Sequence, residues 1–436
     1  MGLSLIDLYR KSRAFWRDHG TMALIKRIQK EFARKVEITN LPFSQREQNG
    51  KSVSQMNQSR FEGLTPLPTY LLPPSPLLRV SIVTDSISRG SLFGGVGTAL
   101  IFATLLANKL GADLRVITRT ERPQPDNVDH ILSVYGMELQ GEIHFKFLPP
   151  GDLGQSIDFS ENELFITTSW WTTAATLASV PARSILYLLQ EDERMFYPFG
   201  DDRLKCENIL SHREIRFLIN TRLLFDHLSS QGFSHINKQG WWFEPAFPAQ
   251  VFHPRVAQKN GKRKFVFYAR PNNLRNLFYL GIEVINAAIA QQVLNLDEWE
   301  VILVGKDIPD LVFDGAYVPT KRENMSWSEY ADLAGTIDLG LSLMYTPHPS
   351  YPPLDLVASG AVVVTNRFAN KQDLTHYSDN LICAEPERDA LVDAIRQGVA
   401  LATNPLVREQ NFRGNGLCTD WNQSFAEIIQ HLAGKR

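Results

Sequence analysis

The chain has 436 residues, more than one hydrophobic core normally holds, so two domains of roughly 150–200 residues are expected. Hydrophobic residues make up 44% and charged residues 21%, as in a globular enzyme, and a net charge of −2 excludes a general nucleic-acid-binding surface. The three cysteines, Cys206, Cys383 and Cys418, stand far apart, which indicates neither a disulfide framework nor a zinc site and favours the reducing cytoplasm.

Residues 1–77 are predicted to precede the two domains. Residues 1–37 hold nine Lys/Arg against four Asp/Glu, and apolar residues recur at helical spacing over 21–36, which predicts a basic amphipathic helix. Such a helix suits peripheral contact with the inner face of the cytoplasmic membrane, and packing on its own protein or on a second subunit is an equal alternative. Residues 38–77 are polar and Pro-rich, which predicts a linker.

The first domain is predicted over residues 78–250 and begins with the apolar run 78–84. Segments with helical character, such as 97–110 and 221–231, lie between most of the strand-like runs. The later runs are 114–118, 144–148, 163–167, 184–189 and 216–220. This alternation predicts a parallel sheet with helices on both faces, which is a Rossmann-like domain.

A second Rossmann-like domain is predicted over 251–414, after a hinge-like segment at 243–254. Its strand-like runs are 264–268, 300–304, 337–342 and 361–365. A last helix at about 421–433, within 415–436, is predicted to cross back to the first domain. The expected fold is therefore α/β, with two facing Rossmann-like domains and a cleft in which a ligand is divided between them.

A glycine-rich loop, Gly94-Gly95-Val-Gly97, follows the first strand and opens a helix. Backbone without Cβ atoms can approach a donor ligand closely and aim N–H groups at an anion. The loop is not a Walker A motif, because no Lys-Ser/Thr follows. It is not the dinucleotide fingerprint either, because Leu100 replaces the third glycine, and a tight turn for helix packing is an equal alternative.

Cationic residues follow the strands of the second domain. Arg270 and Arg275 come after its first strand, where two guanidinium groups suit a diphosphate, the alternative being a solvated pair. Lys306 and Lys321 also fall at strand ends. Such a collection in a nearly neutral protein predicts an anionic ligand.

The first domain offers polar and aromatic candidates at its own strand ends. Gln190, Asp192 and Glu193 follow the strand 184–189 and could contact sugar hydroxyls or a base, with an exposed acidic turn as the alternative. Trp170 and Trp171 follow the strand 163–167 and could stack on an acceptor sugar, and core packing is as good an explanation for one of them.

The segment 342–360 predicts a buried strand, a Pro-rich polar loop and a helix that begins near Pro353 or Leu354. A loop that enters a helix N-terminus from a strand end is where open α/β sheets bind anions. The residues with hydroxyl- or ribose-binding chemistry are His348, Ser350, Tyr351 and Asp355. The alternative is an ordinary connection stiffened by prolines.

From about residue 78 onward the chain resembles retaining GT-B glycosyltransferases of family 4. The run Ala269-Arg-Pro-Asn-Asn-Leu-Arg275 takes the place of the family's Gly-Arg-x-x-x-x-Lys, with Arg for Lys. Asp355-Leu-Val-Ala-Ser-Gly-Ala-Val-Val363 matches the end of its Glu-x7-Glu loop, whose second acid binds the nucleotide ribose. The first acid falls on Pro347, which departs from the family pattern and implies that the donor sugar is held differently.

The segments 188–198 and 342–354 look closest to bacterial rhamnosyltransferases of S-layer and surface-polysaccharide assembly, which use dTDP-β-L-rhamnose. The resemblance implies a retaining, metal-independent transferase without a cofactor. Its expected partners are a dTDP-sugar or another nucleotide diphosphate sugar and a saccharide or lipid-linked glycan acceptor, and no nucleic acid. A nucleotide-sugar 2-epimerase of the same fold and a catalytically inactive glycan-binding protein remain alternatives.

Overall fold

The structure, a computed structural model, describes residues 52–73, 78–88, 92–152, 154–255 and 261–434. The chain forms two compact units, Met1–Glu62 and Gly63–Arg436. In the first unit, helix α1 (Val53–Arg60) is capped by Ser52, whose hydroxyl accepts a hydrogen bond from the Gln55 N–H at 3.2 Å. The amphipathic helix predicted within residues 1–37 lies outside the described residues.

Two parallel sheets organise the second unit. The first sheet has the strand order β4-β3-β2-β6-β7-β8-β9. Its strands are β2 (Arg79–Thr84), β3 (Asp113–Thr118), β4 (Ile143–Phe147), β6 (Leu164–Thr167), β7 (Ile185–Leu189), β8 (Arg216–Asn220) and β9 (Trp241–Phe243). We call this sheet and its helices the first domain. A separate two-stranded sheet pairs β1 (Thr69–Leu71) with β5 (Ile157–Phe159).

The second sheet has the order β12-β11-β10-β13-β14-β15. Its strands are β10 (Arg263–Ala269), β11 (Trp299–Gly305), β12 (Thr320–Glu323), β13 (Leu339–Leu341), β14 (Val362–Asn366) and β15 (Leu381–Ala384). We call this sheet and its helices the second domain. The predicted linker at 38–77 contains regular structure, because α1 and β1 both fall within it.

Helices connect the strands in both domains, as the alternating pattern predicts. In the first half they are α2 (Gly97–Leu110), α3 (Asp126–Val134), α4 (Trp170–Leu177), α5 (Asp201–Leu210), α6 (Arg222–Ser230) and α7 (Ser234–Gln239). In the second half they are α8 (Phe278–Ala290), α9 (Trp327–Ala334), α10 (Tyr351–Ala358), α11 (Arg388–Ala402), α12 (Pro405–Arg413) and α13 (Trp421–Gly434). None of the helices in the described ranges is long and apolar enough to cross a bilayer.

Both sheets reverse their strand order at one point. In the first sheet the reversal lies between β2 and β6, and in the second it lies between β10 and β13. A crevice opens at the carboxyl ends of the strands at such a point, because the connections on its two sides cover opposite faces of the sheet. Each domain therefore offers a ligand site at this edge.

The last helix packs against the first domain. Phe425 of α13 lies 5.0 Å from Phe102 of α2 and 4.7 Å from Phe243 of β9, measured between ring centroids. All three rings are fully buried or nearly so, in one apolar cluster with β2, β3 and β6. The chain thus returns from the second sheet to the first at its C-terminal end.

Candidate active site

A single tyrosine side chain of the second domain bridges three groups of the first. The Tyr351 hydroxyl lies 2.7 Å from the Thr98 hydroxyl and accepts a hydrogen bond from Asn220 Nδ2 at 2.8 Å. It also donates to Gln190 Oε1 at 3.4 Å. Because Gln190 and Asn220 stand at the carboxyl ends of β7 and β8, these bonds join the carboxyl edge of the first sheet to α10.

The glycine loop packs against the same side chains. The Gly95 carbonyl accepts a hydrogen bond from Gln190 Nε2 at 2.6 Å, and a Cβ at Gly95 would lie only 3.0 Å from that nitrogen. Gly94 has a φ of 76°, a left-handed conformation that favours glycine, and faces the Tyr351 ring. The structure thus supplies a packing reason for both glycines, and their predicted role in donor binding stays a prediction.

The two predicted arginines lie together at the carboxyl end of β10. Arg270 donates from Nη1 to the Tyr268 hydroxyl at 3.2 Å. Arg275 donates from Nη1 to Glu191 Oε2 at 3.3 Å, and its guanidinium carbon lies 4.2 Å from the Phe196 ring centroid. Burial lowers the pKa of Arg275, and the positive charge of Arg270 contributes to this shift, so the two guanidinium groups share one electrostatic environment.

Glu191, which the sequence interpretation passed over, is the acidic group that enters this cationic cluster. It follows β7 of the first domain and accepts hydrogen bonds from Arg275 and from the Thr346 hydroxyl, the latter at 3.0 Å. Its side chain is 11% exposed. Burial raises the pKa of the Glu191 carboxyl, and the charge of Arg275 opposes that rise.

Lys371 is a further cation that the sequence interpretation missed. It comes shortly after β14, is fully buried, and donates from Nζ to the Met344 carbonyl at 2.6 Å. Burial lowers the pKa of Lys371 to about 8, and the Glu191 carboxylate acts in the opposite direction. Arg270 was predicted because it is a polar residue that follows a strand of the second domain. Lys371 follows β14 in the same way, so the same reasoning applies to it.

His348 presents a neutral ring beside these cations. Its Nδ1 accepts a hydrogen bond from the Ser350 N–H at 2.9 Å, so the proton of the neutral ring lies on Nε2. Burial, together with the smaller effects of the Lys371 and Arg275 charges, lowers the pKa of His348 to about 3. Nε2 is buried and has no hydrogen-bond partner among the described residues, so it is an available donor.

Helix α10 begins at Tyr351, two to three residues earlier than predicted. Prolines at 352 and 353 are tolerated because the first-turn N–H groups have no partner inside the helix. Ser350 precedes the helix with a φ of 71°, which is strained for a residue with a Cβ. Asp355 consequently lies one turn inside the helix rather than at its start.

Asp355 is buried against Tyr330 of α9. Its Oδ2 accepts a hydrogen bond from the Tyr330 hydroxyl at 3.3 Å, and its Oδ1 has no partner in the described part of the chain. Burial raises the pKa of this carboxyl well above its usual value, which Tyr330 only partly opposes. Its predicted ribose contact stays a prediction, and the unpaired oxygen is the atom through which it would act.

The other two acids of the 190–193 turn bond within the first domain. Asp192 holds Arg194 through two contacts, at 2.9 and 2.7 Å. Burial alone would raise the pKa of Asp192, but hydrogen bonds from His227 and Arg194 lower it to about 2. Glu193 accepts the Trp170 N–H at 2.7 Å, and burial raises its pKa to about 8. The turn is therefore buried rather than the exposed acidic turn of the alternative interpretation.

The two predicted acceptor-binding tryptophans differ in exposure. Trp170 is 3% exposed and donates from Nε1 to the Tyr197 hydroxyl at 3.0 Å, so it packs in the core. Trp171 is half-buried and donates from Nε1 to Asp85 Oδ2 at 2.8 Å. Since Asp85 follows β2 and Trp171 follows β6, their contact lies at the reversal point of the first sheet.

The two predicted lysines have different neighbours. Lys306 is exposed after the end of β11. Lys321 is inside β12, a strand that the sequence did not indicate, and donates to the exposed carboxylate of Asp310 at 2.5 Å. The Lys306 N–H donates to the Ala269 carbonyl at 3.4 Å, so its backbone lies beside Arg270, and the predicted role of both lysines in donor binding stays a prediction.

Two doubly wound sheets with facing carboxyl edges define a GT-B fold, as the sequence predicted. Solved structures agree. The chain is similar to sucrose-phosphate synthase from Thermosynechococcus elongatus, with a TM-score of 0.54 and 12% identity over 82% of this chain and 100% of that one. It is also similar to Anabaena Alr3699/HepE in complex with UDP-glucose, with a TM-score of 0.52 and 11% identity over 82% and 98% of the two chains. At these identities the likeness shows the fold alone.

Two family models match the chain, the WsaF N-terminal domain over residues 79–221 and the WsaF C-terminal domain over residues 263–396. Together they span more than half of its length in their N-to-C order, and the chain belongs to the WsaF family. A curated relative, O-antigen biosynthesis protein RfbC of Myxococcus xanthus, is 30% identical over 250 residues. That match covers 55% of this chain and 18% of the relative, so the chain spans less than a fifth of that protein's length.

Proposed function

We propose that this protein is a glycosyltransferase that transfers a sugar from a nucleotide diphosphate sugar to a saccharide acceptor in polysaccharide synthesis. One observation carries the proposal. Arg270, Arg275 and Lys371, together with the neutral donor His348, converge where the carboxyl edge of the second sheet meets the first domain. A diphosphate has the charge and the multiple acceptor oxygens that such a cluster needs.

Relatives support the same proposal. Alr3699/HepE has the same fold and was solved with UDP-glucose, and WaaG, described as a glycosyltransferase involved in lipopolysaccharide biosynthesis, matches with a TM-score of 0.53 at 10% identity. The RfbC relative is described as an O-antigen biosynthesis protein. These descriptions concern those proteins, and they agree with a nucleotide-sugar donor and a surface glycan product here.

In the proposed reaction the bond between the anomeric carbon and the diphosphate breaks, and its electron pair goes to the diphosphate. The acceptor hydroxyl oxygen forms the new bond to that carbon and loses its proton to an oxygen of the leaving diphosphate. Arg270 and Arg275 stabilise the charge that develops on the leaving group, and His348 Nε2–H adds an uncharged donor. Asp355 Oδ1 accepts from a ribose hydroxyl. Because the protein's own cations supply this charge, the proposal includes no metal and no cofactor.

For the donor we propose L-rhamnose, carried as dTDP-β-L-rhamnose, with retention of configuration. The support is the resemblance of the loop at 342–354 to that of bacterial rhamnosyltransferases and the replacement of the first donor-sugar acid by Pro347. A 6-deoxy sugar has one hydroxyl fewer to hold than an ordinary hexose. Proton NMR of the product, which reports the anomeric configuration, tests the retaining mechanism directly.

Calorimetry with dTDP, dTDP-rhamnose and UDP-glucose tests the donor class, and turnover of Arg270→Ala tests the assignment of the site. Loss of one preorganised charge-stabilising group typically lowers turnover by a factor of about 100 to 1,000. We expect a loss of that size for Arg270→Ala with an unchanged melting temperature. Near-normal turnover would contradict the assignment. Isotope exchange at the sugar carbon without acceptor would instead support a 2-epimerase, and no dTDP binding at millimolar concentration would support a glycan-binding protein.

A further inference from the structure

A pocket of about 370 Å³ lies at the carboxyl edge of the first sheet, away from the arginine cluster. Its walls come from both domains. Arg222 and Asp226 belong to α6, Trp242 and Glu244 lie in and just after β9, and His376 and Tyr377 come from the second domain. Its volume falls within the usual range for pockets that bind small molecules.

The pocket is separate from the proposed transfer site. In the sheet order, β9 lies two positions from β7, the strand that Glu191 follows, which is roughly 10 Å at a strand spacing of ~4.8 Å. None of the residues that line it belongs to the cationic cluster or to the loop 342–350. Both sites nevertheless lie along the same carboxyl edge, so an extended ligand could reach from one to the other.

Trp242 supplies an aromatic surface at this pocket. Its side chain is 41% exposed, which is unusual for a residue of its size at the junction of two domains. The Arg222 guanidinium carbon lies 5.7 Å from its ring centroid. A large, partly exposed ring that other side chains hold in place suits stacking against the C–H face of a sugar.

Hydrogen-bonding groups in fixed positions accompany the ring. Glu244 accepts from the Tyr377 hydroxyl at 2.6 Å and from the Arg222 N–H at 3.0 Å, so its carboxyl group is held across the domain junction. Burial raises its pKa. His376 packs on Tyr377 with 4.0 Å between ring centroids, and burial lowers its pKa, which leaves a neutral imidazole with one donor and one acceptor.

The charges distinguish between classes of ligand. One guanidinium, that of Arg222, faces two carboxyl groups, and Asp226 already pairs with it at 3.5 Å. A phosphate would meet no net positive charge here, unlike in the cluster at Arg275. A purely apolar ligand would leave these charged groups without solvent. A neutral, hydroxyl-rich ligand needs no net positive charge and replaces the solvent, because its hydroxyls donate to the carboxyls and accept from the guanidinium.

We propose that this pocket is a saccharide subsite that holds a part of the acceptor glycan beyond the residue that receives the new unit. The inference rests on the proposed function for the identity of the glycan. It predicts that the enzyme prefers long acceptors to short ones, which the transfer site alone would not produce. Trp242 is the specificity-determining residue of the subsite.

The test replaces the protein's tryptophans with 5-fluorotryptophan and follows their ¹⁹F signals while rhamnose oligosaccharides of one, three and six residues are added. Trp242→Phe assigns the signal of Trp242, and the signal of Trp171 reports the transfer cleft. We expect the six-residue oligosaccharide to shift the Trp242 signal and the monosaccharide to leave it in place. An unmoved Trp242 signal at saturating hexasaccharide would overturn the proposal.

A second measurement compares affinities for the hexasaccharide. Trp242→Ala should weaken binding by about fivefold or more, the size of one lost aromatic contact, and Trp242→Phe should restore most of it. Tyr70→Ala, which removes another exposed aromatic residue on the two-stranded sheet, is the matched control and should have no effect. Equal affinities for wild type and Trp242→Ala would also overturn the proposal. Calorimetry with dTDP on the same proteins separates the two hypotheses. A wild type that does not bind dTDP would refute the proposed function but would not refute the saccharide subsite.

Discussion

Replacement of Glu191 by Gln should strengthen the binding of a nucleoside diphosphate. The Glu191 carboxylate belongs to the first domain but accepts hydrogen bonds from Arg275 and Thr346 of the second. It therefore occupies, in the protein without ligand, a guanidinium that the diphosphate is proposed to use. Glu191→Gln keeps the size and the acceptor oxygen of the side chain and removes its negative charge.

The structure sets the scale of the effect. At 3.3 Å and an effective dielectric constant of ~20, the attraction between the Glu191 and Arg275 charges is on the order of 5 kcal/mol before desolvation is counted. A charge-assisted hydrogen bond contributes about 1.5–3 kcal/mol net. Nucleotide binding must disrupt or share that bond. If half of the net amount returns to the ligand, the affinity rises about three- to tenfold, since each factor of ten corresponds to ~1.4 kcal/mol.

Calorimetric titration of wild type and Glu191→Gln with dTDP measures the affinity, and thermal unfolding measures the stability of each protein. The matched control is Glu163→Gln. Glu163 is also buried and pairs with Arg79 at 2.8 Å and with Arg115, but it lies at the amino end of β6, on the opposite edge of the sheet. Both substitutions should lower the melting temperature, because each removes a buried carboxylate from a guanidinium that it pairs with.

Only Glu191→Gln should tighten dTDP binding. If Glu191 acts merely to position Arg275, the opposite result is expected, namely a weaker complex because the guanidinium is no longer held in place. An unchanged or weakened affinity in a folded Glu191→Gln protein would therefore refute the idea that the carboxylate occupies the anion site. Equal tightening in Glu163→Gln would show that the gain comes from general loosening of the first domain.

Tyr351→Phe should lower the free energy of unfolding by about 1–3 kcal/mol in denaturant titrations, because it leaves Asn220 without the bond that it donates across the domains. Glu193→Gln should change the pH dependence of stability. The folded pKa of about 8 lies above the model-compound value of 4.5, so the wild type loses stability relative to the variant as the pH rises from about 5 to 8, at most ~1.4 kcal/mol per pH unit. A constant stability difference between pH 5 and 9 would contradict that assignment. Gly305→Ala should fail to fold, since a Cβ would overlap the Ala269 carbonyl, whereas Gly63→Ala, which has open space, should melt as the wild type does.

The sequence predicted the fold well where strands are long and buried. The strand β8 coincides with the predicted run at 216–220, and α2 coincides with 97–110. Periodicity and apolar composition decide such elements, because both faces of a central parallel strand are buried. The edge strand β12, which reads Thr-Lys-Arg-Glu, was missed because its polar side chains carry no apolar signal and its pairing with β11 alone defines it.

The candidate site was predictable only in part. Arg270 and Arg275 were found because cationic residues that follow a strand are visible in the sequence. Glu191 was passed over between Gln190 and Asp192, since nothing local indicates which carboxylate of the turn faces the second domain and which one bonds Arg194 beside it. The position of Lys371 likewise depends on how the chain turns after β14, so only tertiary structure shows that it reaches Met344.

The neutral state of His348 follows first from its burial and then from the charges of the cluster around it. A chain of net charge −2 gathers Arg270, Arg275 and Lys371 at one strand edge, with one carboxylate, Glu191, set against them. A fourth positive charge at His348 would lie buried beside two of these cations, and its pKa of about 3 keeps the ring neutral at every physiological pH. The site without ligand is therefore left with an excess of positive charge and a free Nε2–H donor. The proposed diphosphate would offset this charge and would offer an acceptor oxygen to the Nε2–H, whereas a neutral sugar alone would leave the positive charge in place.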